Sequence, residues 1–565
     1  MGTVTGGQLA AESLIERGIE YIFTISGGHI TPIYQYLEGS PVRLFDTRHE
    51  QAAVFMAEAW GRMTRSPGTA MVTAGPGFTN ALSGIANARM ANSPLVLISG
   101  CVGLESAEKL DLQGMCQLPV ISPMVKNAFV CYNPERIPEF VDLAYRTAAS
   151  GRPGPVYLEL PVDILNEEAD QEKIKRIRTD VDSRPVDQDK VREMMRMIEG
   201  AERPMIIAGS GTWYADAGDD LVRFVESTGI PVFTSSLGRG TVSDMHPLCY
   251  ESSLPIRPGA ALLTAMTTDL IIFLGARMGL FYIFGEIFDK GAKIVQVDIE
   301  PEEIGRNRSV DLPIMSDIKA FLRECNRVVD SDEAGDNLKK RFGEWRGTVE
   351  KAREDGRAEA EPNWASDTVP IHPLRLAREV NEFMSGDDDI VVADGGDTQI
   401  WMGMTRTVKR AGHYLDSGLY GCLAVGLPYA NAAQLLNPGK RVCLVIGDGS
   451  VGFNFMEFEV AIRRKLPIVV VISNDLGWGM IKHSQELRIG HAIKDGTHIG
   501  RVDYHRLVEA LGGKGMYVER PDEIRPALEE AFSSGVTTCI NVMTDPSVIS
   551  PGSVALASLG AYKAV

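Results

Sequence analysis

The sequence predicts an α/β protein of three doubly wound parallel-sheet domains, and three observations carry that expectation. Short β-branched runs alternate with helical-period segments: YIFTIS, TAMVTA, LVLISG and VYLELP, then PMIIAG, DLIIFLGA and KIVQVDI, then DIVVADG, VCLVIGDG and IVVVISND. Alternation of this kind implies βαβ units, with helices on both faces of each sheet. At 565 residues the chain is too long for one hydrophobic core. Two polar stretches, near 166–188 and 330–368, divide the runs into groups at 1–165, 188–330 and 369–545. Both stretches are too polar for a core, although part of the second suits a solvated connecting helix. Residues 546–565 are small and weakly patterned, which suggests a mobile C-terminal tail.

Composition narrows the function classes. With 44% hydrophobic and 23% charged residues the chain is globular. A formal charge of -18 argues against nucleic acid or an anionic membrane as partner, so any phosphate-bearing ligand must be held by local groups. Eight cysteines show no CxxC spacing, as expected of reduced thiols in a cytoplasmic protein and not of a zinc site. The N-terminal residues run into an amphipathic helix without a basic and apolar leader, and runs such as IVVVI are far too short to span a bilayer.

The chemistry concentrates in GDGSVGFNFMEFEVAIRRKLPIVVVISND, from Gly447 to Asp475. In a parallel α/β sheet, ligands sit beyond the carboxyl ends of the strands, where VCLVI delivers Gly447-Asp448-Gly449 and IVVVIS delivers Asn474-Asp475. The glycines let backbone approach a phosphate, and a helix expected to start near Ser450 offers its amides to an anion. Two acidic strand ends suit Mg²⁺, which takes few protein carboxylates and fills its octahedron with phosphate oxygens and water. A bare turn Asp capping a helix is the alternative for Asp448 alone; the second acidic strand end favours a metal-diphosphate clamp.

This module resembles the signature of thiamine-diphosphate enzymes. The resemblance implies a pyrimidine-binding domain first, a middle domain, and a diphosphate and Mg²⁺ domain last. Asp448 and Asp475 would be the side-chain metal ligands, with the backbone carbonyl of Gly477 as a third; Asn is commoner at the place of Asp475. In FDTRHEQAAVFMAEAWGRMT, Glu50 is placed at the end of a strand and before an Ala-rich helix. It resembles the carboxyl that polarises the cofactor's pyrimidine ring. VTAGPGFTN, with Gly75, Pro76 and Asn80, resembles the loop packed against that ring, and VVADGG, with Gly395 and Gly396, a diphosphate-side loop. Leu423 would wedge between the cofactor rings, and Gly447, Gly449 and Ser450 would line the diphosphate. Because family members build each site from two subunits, the resemblance implies at least a homodimer, with a homotetramer expected.

GGHI, DTRHE, NARMANSPLVLISG, GPVYLELPVDIL and SNDLGWG are similar to two subgroups, benzaldehyde lyase and the acetolactate-synthase-like (type 2) 2-hydroxyacyl-CoA lyases. Where benzaldehyde lyase has aromatic side chains this sequence has Val162, Gln399 and Ser417, and Met480 replaces a small residue, so an aromatic acyloin would lose stacking partners. The expectation is therefore cleavage of a 2-hydroxyacyl-CoA, with an acyloin lyase or an acetolactate-type carboligase as the alternative. His29, after a Gly-Gly turn, and Gln113, a neutral donor and acceptor in LDLQGMCQ, are the candidate substrate-facing residues. Glu486, in GWGMIKHSQELRIG, is the candidate proton shuttle, with His483 competing. In the middle domain, Gly209 to Gly211 and Arg277 are candidate contacts for the nucleotide end of an acyl-CoA.

Overall fold

The computed structural model describes residues 3–177, 179, 185–331 and 334–558. Within these residues lie three six-stranded parallel sheets and one two-stranded antiparallel pair, Thr3–Thr5 with Glu168–Asp170. The chain forms two compact units. The first comprises residues 1–182, 417–439 and 452–466; the second comprises 183–416, 440–451 and 467–565. The stretch from Gly447 to Asp475 is thus shared between them, its strand ends in the second unit and its central helix in the first.

The first unit holds the N-terminal sheet, in the order Arg43–Asp46, Tyr21–Thr24, Gly68–Val72, Leu95–Cys101, Pro155–Pro161, Asn127–Val130. The chain crosses from its first strand to an outer second strand and returns to the other side of the first. That reversal between Tyr21–Thr24 and Gly68–Val72 is a topological switch point, where the carboxyl ends of the strands open a ligand crevice. The helix Glu50–Thr64 is buried along most of its length, because Ala52, Ala53, Ala57 and Ala59 let neighbouring helices approach. Gly84 packs so closely on it that a Cβ there would stand 2.7 Å from Val54 Cβ. A buried cluster pins the helix further: Asn87 Nδ2 and Ser93 Oγ donate to Glu58, and Arg62 donates to Tyr429 Oη. Burial pushes the Glu58 carboxyl above its usual range despite these donors.

The second unit holds two sheets. The middle one runs Cys249–Ser252, Val232–Thr234, Pro204–Ala208, Leu270–Leu274, Lys293–Asp298, Leu312–Met315, the 3-2-1-4-5-6 order of dinucleotide-binding folds. The C-terminal one runs Tyr414–Leu415, Ile390–Asp394, Val442–Gly447, Val469–Asn474, Thr538–Met543, Lys514–Val518. Its strands follow the same order as the N-terminal sheet, so its switch point lies between Ile390–Asp394 and Val442–Gly447.

Four local expectations are corrected. The polar stretch near 330–368 contains the helix Gly343–Trp364, whose Trp345 and Val349 are core residues one turn apart, with Trp345 Nε1 donating to the Pro204 carbonyl at 2.9 Å. The small residues after 545 form a helix, Pro551–Ser558, instead of a mobile tail; 559–565 lie outside the described residues. Glu50 is the first residue of its helix, the preceding strand having stopped at Asp46, and the His49 side chain caps it by accepting from Gln51 N. The helix expected near Ser450 is a single turn, Asp448–Val451; the longer helix starts at Glu457.

Candidate active site

In the first unit, side chains gather at the switch point of the N-terminal sheet. Glu50 is buried, and its Oε2 accepts from Asn80 Nδ2 at 3.0 Å. Gly77 backs the other oxygen: a Cβ there would stand 3.4 Å from Glu50 Oε1 and 2.8 Å from Thr73 Cγ2. Thr73 Oγ1 in turn lies 3.2 Å from His29 Nδ1. Burial holds His29 below the usual imidazole range, while Asp111 and a hydrogen bond with Gln113 work the other way. Gly75 adopts φ +59, which suits glycine, and caps the helix Pro76–Ala91. Its backbone lies against Gln113, since a Cβ would approach Gln113 O to 2.7 Å. The structure thus brings Glu50, Asn80, Gly75, His29 and Gln113 into one contiguous group; Pro76 opens the helix and is exposed. Leu423 is half-buried in the segment before the helix Gly426–Leu436, and Val162 and Ser417 also belong to this unit.

In the second unit, the C-terminal sheet delivers the acidic pair. Asp448 is 2% exposed, and its Oδ1 accepts from the N–H of Gly449 at 3.0 Å. Asp475 Oδ1 accepts from the N–H of Gly477 at 3.3 Å. Burial, and then the proximity of Asp475, raise the Asp448 carboxyl far above its ordinary range; burial raises Asp475 as well, with Asp397 adding to it. Asp448 Oδ2 is buried without a hydrogen-bond partner. Two carboxylates held together with an unused oxygen fit a hard divalent cation. Among the described residues no group of three or more His, Cys, Asp or Glu could hold a metal ion, so backbone, phosphate and water oxygens would complete the shell, as Mg²⁺ prefers.

Beside this pair, Gly395 at φ +92 faces Gly447: a Cβ on Gly395 would stand 3.0 Å from Gly447 N. The two bare backbones leave a cradle suited to a diphosphate. Gly396 opens the helix Gly396–Thr405 and packs on Met480, Gly449 packs on the Trp478 ring, and Ser450 is buried. A Cβ on Gly477 would strike the Thr497 carbonyl. Tyr504 Oη donates to the Asp448 carbonyl at 2.9 Å.

Glu486 and His483 have different surroundings. Glu486 is about a third exposed and lies 4.0 Å from Lys482 Nζ. His483 is buried, with Nδ1 3.0 Å from Asp397 Oδ2 and Nε2 3.0 Å from the Pro546 carbonyl. Burial opposes a charge on this imidazole, but the two acceptors outweigh it and raise its pKa. With both nitrogens engaged, His483 is a strut. Ser550 and Ser553 donate to the other oxygen of Asp397, which ties the C-terminal helix to Gly396–Thr405. In the middle sheet, Gly209 and Gly211 pack against the backbone of Gly275, and a Cβ on Gly211 would meet Gly275 Cα at 2.7 Å. Chain packing therefore accounts for those glycines; Arg277 is half-buried just beyond.

Thr73, Gln117, Asp397 and Tyr504 were not singled out from the sequence. Thr73 stands inside VTAGPGFTN, and Gln117, which accepts the Gly75 N–H, closes LDLQGMCQ; Asp397 and Tyr504 carry no local pattern.

Comparison with known proteins agrees with this arrangement. Family models described as the N-terminal TPP binding domain, central domain and C-terminal TPP binding domain of thiamine pyrophosphate enzymes match residues 4–120, 191–325 and 394–542. The chain is 33% identical over 556 residues to an acetolactate synthase large subunit of Mycobacterium tuberculosis, covering 97% of each. It is 30% identical over 563 residues to a 2-hydroxyacyl-CoA lyase of Arabidopsis thaliana, covering 96% of each. It is 28% identical over 605 residues to human 2-hydroxyacyl-CoA lyase 2, covering 98% of this chain and 92% of that one. With three matching domains and a relative similar over nearly its whole length, the chain belongs to the thiamine pyrophosphate enzyme family and is a thiamine-diphosphate-dependent carbon–carbon lyase or carboligase.

Proposed function

We propose that the protein is a Mg²⁺-dependent 2-hydroxyacyl-CoA lyase, releasing formyl-CoA and an aldehyde or ketone, and running the reverse carboligation. The observation that carries this reading is the pair His29 and Gln113. Burial disfavours a charge on His29, and the ionisable group facing it is the carboxylate of Asp111. Such surroundings suit an uncharged hydroxyl and thioester carbonyl. The 2-hydroxyacyl-CoA lyases among the relatives support the same reading.

Bound thiamine diphosphate supplies a carbon nucleophile and an electron sink at the substrate carbonyl. Asp448, Asp475 and the Gly477 carbonyl would hold Mg²⁺, and the Gly395 and Gly447 backbones would flank the diphosphate. Asn80 donates to Glu50 Oε2, which leaves Oε1, on the Gly77 side, to meet the cofactor's pyrimidine ring. In cleavage the bond between the carbinol carbon and the thioester carbonyl breaks, the hydroxyl proton leaves its oxygen, and a proton is delivered to the thioester carbon. His29 and Gln113 are placed to hold the two oxygens. Glu486, exposed enough to exchange protons, is the shuttle in this reading, with His483 excluded by its two hydrogen bonds.

The active species is proposed as at least a homodimer, with a homotetramer expected, in which Glu50 of one subunit serves the metal clamp of another. A cytoplasmic setting fits the absence of paired cysteines, and among the described residues no helix is long and apolar enough to cross a membrane. Incubation with cofactors, formyl-CoA and an aldehyde should yield 2-hydroxyacyl-CoA by mass spectrometry; none would contradict the reading. The likeness to acetolactate synthases favours a second reading, which formation of acetolactate from pyruvate would support.

A further inference from the structure

Four residues beyond Gln113 lies Gln117, whose side chain is 2% exposed. Its Oε1 accepts the backbone N–H of Gly75 at 2.9 Å. Its Nε2 donates to the Gly100 carbonyl at 3.1 Å, and lies 2.9 Å from Tyr157 Oη, 3.0 Å from Glu159 Oε2 and 3.4 Å from Ser99 Oγ. The amide's orientation is fixed, because Gly75 offers only a hydrogen and Gly100 only a lone pair. Tyr157 Oη donates to Glu159 at 2.5 Å, so its own lone pair can receive Gln117's remaining hydrogen.

The two glycines gripped by this amide stand directly behind the two candidate substrate-facing residues. A Cβ on Gly75 would approach Gln113 Cβ to 3.0 Å, and a Cβ on Gly100 would approach His29 Cβ to 2.6 Å. Gln113 itself sits at φ +63, a left-handed conformation that a non-glycine residue keeps only when its surroundings over-determine it. We propose that Gln117 is a positioning residue: by holding Gly75 through its acceptor and Gly100 through its donor, one buried side chain sets the geometry of His29 against Gln113. No other uncharged side chain of this length carries an acceptor and two donors. Glu50 itself is anchored through Asn80, which Gln117 does not touch.

This inference rests on the proposed function only in naming His29 and Gln113 as substrate-facing, so its test includes readouts that need no substrate. In the full-length protein with selectively labelled histidine, the His29 ring resonance is assigned with His29→Ala and followed by NMR against pH. Gln117→Met should shift the His29 titration midpoint and lower kcat/KM about ten- to a hundredfold. Added to a chain that already carries His29→Ala and Gln113→Ala, it should lower kcat/KM further by no more than about twofold, because both routes of its action are then gone. An unchanged His29 midpoint or additive losses would each overturn the proposal. Should Gln117→Met not fold, Gln117→Asn keeps the amide's acceptor and donors but is one methylene too short to reach Gly75 and Gly100 together. It should shift the His29 midpoint as well, and an unchanged midpoint overturns the assignment. If no acyl-CoA is turned over, the functional reading fails, while the NMR titration still decides the role of Gln117.

Discussion

At the switch point of the N-terminal sheet, Glu50 is met by Asn80, His29 by Thr73 and Gln113, and Gly75 by Gln117. At the equivalent point of the C-terminal sheet, which repeats the same strand order, two carboxylates are buried together and Asp448 Oδ2 has no partner. One topology therefore carries two kinds of half-site. The first is finished by the protein's own hydrogen bonds. The second carries a burial and like-charge cost that a proton relieves and that, in the proposed reading, a bound cation relieves at higher pH.

The largest expected effect comes from breaking the second half-site. Asp448→Ala should weaken Mg²⁺-dependent retention of thiamine diphosphate by more than about a hundredfold, measured by titration calorimetry. The unliganded variant should unfold at no lower temperature, because one of two repelling groups is gone. Glu50→Gln should do the reverse, leaving cofactor affinity little changed while turnover and C2 proton exchange fall about 10²- to 10⁴-fold. A smaller effect concerns pH. Because Asp448 and Asp475 have raised carboxyl pKa values in the fold, their protonated forms are bound more tightly by the native state than by the unfolded chain. Without metal, this contribution is fully present below the ordinary carboxylate range and is lost as pH rises through the raised values. Mg²⁺ takes the deprotonated pair, so the rise in Tm on adding Mg²⁺ and cofactor should grow between about pH 5 and about pH 8. A rise that shrinks with pH would remove the distinction between the two half-sites.

The second half-site was the more legible in the sequence. Its carboxylates sit at the ends of apolar strands, where alternation with helices already implies a parallel sheet and a crevice beyond it. Glu50 was found by resemblance, and its position shifted by a few residues, since the strand stops at Asp46 and His49 caps the helix. Gln117 was illegible: its partners Gly75 and Glu159 lie 42 residues away on either side, and only the folded sheet assembles them. The helix Gly343–Trp364 hid its buried Trp345, Val349 and Ala360 in a charged background. The helix Pro551–Ser558 lacks an apolar stripe, and is fixed by Gly552 tucked against Ile400 and two serines on Asp397.

The central claim, that these two halves work together across a subunit boundary, is tested most directly by complementation. Glu50→Gln and Asp448→Ala chains, each inactive alone, are co-expressed and purified together, and C2 exchange and 2-hydroxyacyl-CoA cleavage are measured. Heterodimers should carry one site with both native residues and one with neither, so random pairing should restore roughly a quarter of native activity. Activity no higher than that of the separate variants would contradict the account.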